Sequence, residues 1–511
     1  MLNEVKELYR AGLLSPSGLY RLTGSFFHTG INPMALLRYA AKCSPGTPAI
    51  TDEQETITYH ELFRQCTQLS FTLQRQHKVG PRQKVAIICR NHAALVHALF
   101  SVSYLGAHVY LLNAEMSAPQ LATLIQQHAF DLIIHDADVR EHIVACGYRG
   151  RTLHTYHPSG PSVHSICDTP VRHLPRISGR ARAGDIVVLS GGTTGGYKTA
   201  ARRPGIVAFV QPFCSLLVHA RLAHHGSVYI ATPIYHGYGL AAMFISVLLG
   251  SHMFLTQRFH APTACALIAT HKIEVATLVP LMLHRMLGHD AHALHSLQCI
   301  ISGGAPLHPA LVRHTAATLG HKLFDLYGTS EAGICIMATP ADLAHAPASI
   351  GRPVTGVQVR ILDAQDRVVP LGMSGRICIR NAWSVTSAAG TWVETGDVGH
   401  MDTQGYIYLR GRVDDMIVSG GENVYPVTLE HVLLQHPHIR EAAVIGVPDA
   451  DFGQRLRAFI VVADGCGLTE DDLREWLARQ VARYQLPRDI VFLQELPYTP
   501  LGKPDKRKLR Q

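Results

Sequence analysis

The run Ser190-Gly-Gly-Thr-Thr-Gly-Gly-Tyr-Lys-Thr199 follows directly on the apolar stretch Asp185-Ile-Val-Val-Leu189. A loop so rich in glycine lets backbone N–H groups converge on an anion, and Thr193, Thr194 and Lys198 add two hydroxyls and an ammonium. Gly195 keeps the turn free of side-chain bulk. That is the chemistry of polyphosphate binding, although a Gly/Thr turn after a strand is by itself most often only a turn. The pattern is not a Walker A loop, which needs glycine directly before lysine; Tyr197 intervenes.

Five further clusters follow in order. Thr232-Pro-Ile-Tyr-His-Gly-Tyr-Gly-Leu240 sets His236, beside Gly237, among aromatics and glycines, with Leu240 closing the motif. Ser302-Gly-Gly-Ala-Pro-Leu307 has Gly303, Gly304, Ala305 and Pro306 where a flat ligand needs close approach to backbone. Leu326-Tyr-Gly-Thr-Ser-Glu-Ala-Gly333 combines an aromatic face (Tyr327), a hydroxyl (Thr329, after Gly328) and a carboxylate (Glu331). Glu394-Thr-Gly-Asp-Val-Gly-His400 is an acidic turn in which Asp397 can accept from vicinal hydroxyls. Pro497-Tyr-Thr-Pro-Leu-Gly-Lys-Pro504 presents Lys503 from a loop. Each has a plain structural reading: a packed histidine, a helix cap, a closed turn, a solvated lysine. Together they supply what nucleotide chemistry requires.

In these motifs the chain resembles the AMP-forming adenylating superfamily of acyl-CoA synthetases, peptide-synthetase adenylation domains and luciferases, from about Ile50 to Leu509. The resemblance implies a large N-terminal domain that binds ATP and a carboxylic acid, and a small C-terminal domain that rotates between two half-reactions. It assigns Thr193, Thr194, Gly195 and Lys198 to the phosphates. Gly304, Ala305 and Pro306 would border the adenine, Tyr327 and Gly328 would flank it, and Asp325 would read its amino group. Thr329 would touch phosphate, Glu331 would bind Mg²⁺, and Asp397 and Arg412 would hold the ribose. His236, Gly237, Leu240 and Gly303 would form the acid pocket, and Asp414 would be the hinge. Gly420 and Gly421 would line the acceptor channel. Lys503 would bridge the attacking carboxylate and the α-phosphate, where cation and Mg²⁺ together offset the repulsion of two anions.

Departures from the family pattern are local. Gly191 stands where serine is usual in the phosphate loop, Tyr197 where proline is, Thr199 where glycine is, and Gln454 where glutamate is commoner. The charged residues of the mechanism remain. No acid follows His236 in Tyr238-Gly-Leu-Ala-Ala-Met-Phe-Ile-Ser-Val247, so a buried substrate ammonium would lack a partner; the run favours an apolar acid, fatty, cyclic or polyketide-derived, unless it is simply a core helix. The acceptor stays open among CoA, an amino acid (as in coronafacate–amino acid ligases) and an acyl carrier protein. A non-catalytic nucleotide sensor would need neither Glu331 nor Lys503. Luciferase chemistry is disfavoured, since the chain ends Leu-Arg-Gln without a peroxisomal signal.

Positioning these groups takes more than one core, and 511 residues imply two or more domains. Short β-branched runs (Val85 to Ile88, Leu132 to Ile134, Ile186 to Val188, Ser227 to Ile230, Gln298 to Ile301) alternate with amphipathic stretches such as Ala94 to Leu105 and Ala118 to His128. That alternation predicts an α/β fold with parallel sheets. From about Val354 short strands with close turns predict a small antiparallel subdomain, and about a hundred residues after Gly411 form a final α+β unit. The expected division is 1–411 for the ATP- and acid-binding domain, 412–415 for the hinge and 416–511 for the mobile domain. At 47% hydrophobic and 16% charged the composition is that of a globular enzyme, and the +8 charge is spread out except for Lys503 to Arg510, so nucleic acid is not an expected partner. Eleven scattered cysteines without a C-x-x-C pair argue against a disulfide framework or zinc site. Of the thirty-two histidines, His224-His225 and most others lack helical metal-ligand spacing, so surface or core roles are expected of them. No signal peptide precedes the first elements, and Leu240 to Leu255 is too interrupted for a membrane span, so a cytoplasmic location is expected.

Overall fold

The computed structural model describes residues 2–169, 184–191, 197–202, 206–329, 331–384, 391–419, 422–449, 453–463, 465–499 and 502–510. The chain divides into two compact units, residues 1–278 with 288–301, and residues 279–287 with 302–511.

The first unit carries two sheets. One runs in the order Arg151–His154, Leu132–His135, Lys84–Ile88, His108–Leu112, Ile186–Gly191, Tyr197–Arg202, parallel until the antiparallel last strand. Its central strands are nearly continuous in apolar residues and buried throughout, because helices cover such sheets on both faces. The helix Ala93–Tyr104 is buried along almost its whole length, and His92 caps it by accepting from the Leu95 N–H at 3.2 Å. In the other sheet Val275–Leu278, Ser227–Ile230, His252–Leu255 and Pro48–Thr51 run parallel, with Thr56–Thr58 antiparallel at the edge. The oily run from Leu240 does not continue as one element. Gly250, at φ 70°, ends the helix Gly237–Leu249 in a left-handed cap, and the chain returns as the strand His252–Leu255. Among the described residues no helix is long and apolar enough to cross a membrane.

The second unit is built mainly from antiparallel strands. Leu323–Thr329 pairs with Gly333–Ala338, which pairs with Arg352–Pro353. A four-stranded meander follows: Gln358–Leu362, Gly375–Arg380, Val393–Met401 and Ile407–Arg412. The last strand begins at Ile407, because Asp402 accepts from Gln404 and Tyr406 N–H and closes a turn before it, with Gly405 at φ 83°. The C-terminal segment forms its own sheet, in which Gly453–Val462 pairs antiparallel with Ile439–Asp449 and parallel with Asp489–Phe492. Helices Pro426–Leu433 and Glu470–Ala478 cover a core that includes Leu429, Val444, Ile460 and Leu473. The fold is therefore mixed α/β: large parallel sheets, an antiparallel subdomain and a C-terminal α+β segment. The basic tail is tied down. Asp505 caps the helix Lys506–Leu509, Leu509 is buried, and Lys506 reaches Asp415 at 3.3 Å and Glu430 at 3.7 Å. All eleven cysteines are free thiols.

Candidate active site

Strand register builds the centre of the site. Asp397 and Arg412 are direct partners across the antiparallel ladder Val393–Met401/Ile407–Arg412. Side chains so placed meet, and the Arg412 Nη1 donates to Asp397 Oδ1 at 3.2 Å. The turn before Asp397 is held by Thr395, whose hydroxyl donates to the Ile377 carbonyl and accepts from the Asp397 N–H. Gly396 sits there at φ 77°, and a Cβ on it would lie 2.8 Å from Arg412 Nη2. From the neighbouring hairpin, Tyr327 donates its phenolic proton to Asp397 Oδ2 at 2.5 Å. Burial raises the Asp397 pKa; Tyr327, Arg412 and Lys503 pull it back, and Asp414 adds to the rise. Arg412 also reaches Asp414 at 3.5 Å, in the single 3-10 turn Val413–Asp415.

The hairpin that carries Tyr327 carries three more expected residues. Asp325 is fully enclosed, and burial pushes its carboxyl up to about 7 against the pull of the Ser302 hydroxyl and the Leu326 backbone. Its Oδ1 and Ser302 Oγ are both buried and neither completes a hydrogen bond of good geometry. A buried acceptor left in this state is fitted to an incoming N–H donor. Gly328 allows the tight strand pairing, since a Cβ there would lie 2.2 Å from the Gly333 carbonyl oxygen. Thr329 Oγ1 accepts from the Ala332 N–H and shapes the turn in which Glu331 stands half-buried. Gly303 ends the strand Cys299–Gly303, and Gly304 continues at φ 80°, with Ala305 and Pro306 following in the loop.

Lys503 belongs to the same unit. Its loop is pinned by Thr499 N–H to the Lys503 carbonyl and by the Lys503 N–H to Thr499 Oγ1. Val279 lies beside both Gly304 and Gly502, within 3.9 and 2.7 Å of where their Cβ atoms would be. Lys503 keeps solvent-exposed surface, yet the protein packed around its ammonium lowers the pKa; Asp397 and Asp415 oppose that and Arg412 adds to it. So Asp397, Arg412 and Lys503 lie within one electrostatic neighbourhood. Sequence reasoning missed the groups that seat this loop. Arg285 stands over the Tyr498 ring at 5.3 Å and reaches Glu441 and Glu495 at 3.7 Å. No motif marks Arg285.

In the first unit, His236 caps the helix Gly237–Leu249, its ring 4.6 Å from that of Tyr235, and Gly237 opens that helix, exposed. The preceding loop is hung on Asn91, which donates to the Ile230 and Thr232 carbonyls and accepts from the Ile234 N–H. Leu240 and Met243 are buried, and Phe244 packs edge-to-face on Phe100 at 5.8 Å, so these side chains are engaged in packing. Lys198 falls on the strand Tyr197–Arg202, opposite Ser190. Thr193, Thr194, Gly195, Gly420 and Gly421 lie outside the described residues. One grouping unforeseen from sequence is Cys89, His92 and Asp136, buried within metal-ligand reach of one another. Its donors are already committed: Asp136 accepts from the Thr155 hydroxyl and the Arg90 N–H and holds His92 Nε2 at 2.8 Å, while His92 Nδ1 caps a helix.

Comparison with known proteins bears on this arrangement. The AMP-binding enzyme model matches residues 37–387, and the AMP-binding enzyme C-terminal domain matches 428–503. A fatty acid–[acyl-carrier-protein] ligase, ScoC, of Streptomyces coeruleorubidus is 28% identical, over 92% of this chain and 94% of its own. A feruloyl-CoA synthase of an Amycolatopsis species is 29% identical, over 92% and 97%. Among solved structures, the amide bond synthetase McbA of Marinactinospora thermotolerans superposes with a TM-score of 0.81 at 25% identity, over 94% of this chain and 99% of its own. With more than half its length matched by one family, the chain belongs to the AMP-binding enzyme family, the superfamily of AMP-forming acid ligases.

Proposed function

We propose that the protein joins ATP to an apolar carboxylic acid, releasing pyrophosphate, and passes the acyl group from the resulting acyl-adenylate to the thiol of CoA. The observation that carries this is the convergence of Asp397 with Tyr327, Arg412 and Lys503. Asp397 and Arg412 form a pair suited to a ribose: an acceptor for two hydroxyls, set in place by a cation and a phenol. Tyr327 offers the adenine an aromatic face, Gly304, Ala305 and Pro306 its backbone edge, and Asp325 with Ser302 an unsatisfied buried acceptor for its amino group. Thr193, Thr194, Gly195, Lys198 and Thr329 are assigned to the phosphates, and His236, Gly237, Leu240 and Gly303 to the acid.

In the first half-reaction a carboxylate oxygen bonds to the α-phosphorus as the bond to pyrophosphate breaks. Lys503 places its ammonium between the two anions as they approach and holds the charge that builds there. Mg²⁺ held by Glu331, a hard oxygen donor in a turn, would neutralise phosphate charge. The division expected from sequence, with 412–415 as hinge about Asp414 and 416–511 as the mobile part, then lets Lys503 withdraw so that a thiol arrives past Gly420 and Gly421. The apolar acid rests on the absence of any Asp or Glu in Gly237–Leu249 and on the likeness to a fatty acid ligase.

A second reading has its own support: the fold follows that of an amide bond synthetase along nearly the whole chain. In that case the acyl-adenylate meets an amine, for example of an amino acid, instead of a thiol; an acyl carrier protein, as in the ScoC relative, is the third acceptor. The test is one reaction split three ways. The protein is incubated with ATP, Mg²⁺ and a panel of apolar acids, with CoA, mixed amino acids or an acyl carrier protein added, and products are read by mass. Acyl-CoA is the expected product. N-acyl amino acid with no thioester in the CoA arm would establish the amide ligase instead.

A further inference from the structure

The helix Pro16–Thr29 is built the reverse of an ordinary surface helix. The residues it turns inward are small: Gly18, Ser25 and Thr29 are buried. The two hydroxyls are spent within the helix, Ser25 on the Arg21 carbonyl at 2.7 Å and Thr29 on the Ser25 carbonyl at 2.8 Å. Gly18 packs so closely that a Cβ would lie 1.7 Å from the Gly12 carbonyl oxygen. Leu22 and Phe26 are half-buried, while other large side chains point out. Tyr20 is 79% exposed, Phe27 63%, Leu19 44%, and Ile31, just past the helix end, 62%. Tyr20, Thr23 and Phe27 fall on one stripe at helical spacing, which makes the patch continuous.

The charge around this stripe has one sign. From Leu8 to Thr51 the sequence holds no Asp or Glu, but it does hold Arg10, Arg21, Arg38 and Lys42. Arg21 lies on the helix itself, and Arg38 and Lys42 lie on Pro33–Cys43, which packs against it. Besides burial, Arg38 and Arg21 both lower the Lys42 pKa, so the three cations are neighbours. Among the described residues none of the three forms an ion pair, and Lys42 is exposed. A fluid anionic surface asks only for apolar area and positive charge. The AMP-binding match begins at residue 37, after this helix.

We propose that this face docks the protein on an anionic lipid bilayer, with Leu19, Tyr20, Phe27 and Ile31 entering the acyl boundary and Arg21 and Lys42 meeting headgroup phosphates. Flotation of the full chain with vesicles of phosphatidylcholine alone, or of phosphatidylcholine and phosphatidylglycerol in equal parts, tests it. Binding is expected to the mixed vesicles only, to weaken with added salt, and to fall at least tenfold in the double variant Tyr20→Ser/Phe27→Ser. The fold of that variant is checked by its pyrophosphate release, which should be unchanged because neither residue belongs to the nucleotide site. Should it fail to fold, Arg21→Gln/Lys42→Gln with the salt series decides in its place. No flotation of the native chain on either vesicle, or flotation equal in the variants, overturns the proposal. A patch-dependent dimer by light scattering, or patch-dependent capture of a purified acyl carrier protein, without flotation would also overturn it.

Discussion

Tyr327 and Asp397 are separated by 70 residues of sequence and joined by a hydrogen bond of 2.5 Å, phenol to carboxylate. The bond couples two segments of the proposed nucleotide site, so that Tyr327 positions the carboxylate. A hydrogen bond to a charged group contributes about 1.5–3 kcal/mol. Tyr327→Phe keeps the ring and removes the donor, and should raise the KM for ATP roughly 10- to 100-fold by that figure. It also removes one of the influences that lower the Asp397 pKa. The carboxylate must be ionised to accept two hydroxyls, so the acid limb of the pH–activity profile should move to higher pH. A limb left where the native enzyme has it would show that Asp397 does not depend on this bond.

Asp325 makes the complementary prediction for stability. Burial holds its pKa near 7 in the folded state, above the ordinary carboxylate value. The folded protein then binds the proton more tightly than the unfolded chain, so its stabilising effect is complete below about pH 4 and is lost as pH rises to about 7. Asp325→Asn removes that slope and should raise the Tm at pH 8 while changing it little near pH 4. The gain corresponds to on the order of a few kcal/mol. Equal Tm differences at both pH values would contradict it.

Gly396 is the position in the acidic turn where an added methyl group would meet Arg412. Its φ of 77° is left-handed, and the added Cβ would stand 2.8 Å from Arg412 Nη2. Gly396→Ala should therefore cost about 1–2 kcal/mol from backbone strain, and displace Arg412 from Asp397. Thermal melts should register the first effect and a raised KM for ATP the second, with kcat less affected.

On the proposed mechanism, Lys503→Ala removes the cation from between the two anions, and loss of a positioned group of this kind costs about 10²–10³ in rate. Pyrophosphate release should fall by that amount, while thioester formation from supplied acyl-adenylate should persist. The packing around Lys503 lowers its pKa below that of a free lysine. Adenylation should therefore decline at a lower pH than free lysine titrates, and Lys503→Arg should move that limb upward. Native rates of pyrophosphate release in Lys503→Ala would remove Lys503 from the mechanism.

The glycine- and threonine-rich motifs stand out in sequence because part of their geometry is set locally. Gly328, Thr329, Gly396 and Gly304 keep their places through backbone constraints that operate within a few residues. Strand alternation likewise marked the parallel sheets, with Ser227–Ile230 and Ala118–His128 falling as expected. What sequence could not indicate is long-range. The Asp397–Arg412 register needs the pairing of two strands, Asn91 steadies a loop 141 residues away, and Arg285 meets Tyr498 from the far side of the sequence. Met243 and Phe244 read equally well as pocket or core, since an apolar helix fits both; only packing against Phe100 separates the two.

Arg285 gives the sharpest test of how Lys503 is brought to its place. It contacts Tyr498 through its ring and Glu441 and Glu495 through charge, and Tyr498 is five residues before Lys503. Half-exposed ion pairs contribute about 0–1 kcal/mol each, and a cation–π contact of this exposure about 0.5–1 kcal/mol. Arg285→Ala should then weaken seating of the Lys503 loop by roughly tenfold in population, following from those contributions. Because Arg285 touches none of the nucleotide groups named above, the KM for ATP should hold while pyrophosphate release slows. Thioester formation from supplied acyl-adenylate should be unchanged or faster, since that step follows withdrawal of Lys503. Equal slowing of both half-reactions would instead make Arg285 a residue of general stability, and the seating of Lys503 would have to come from Val279 and its packing on Gly502 alone.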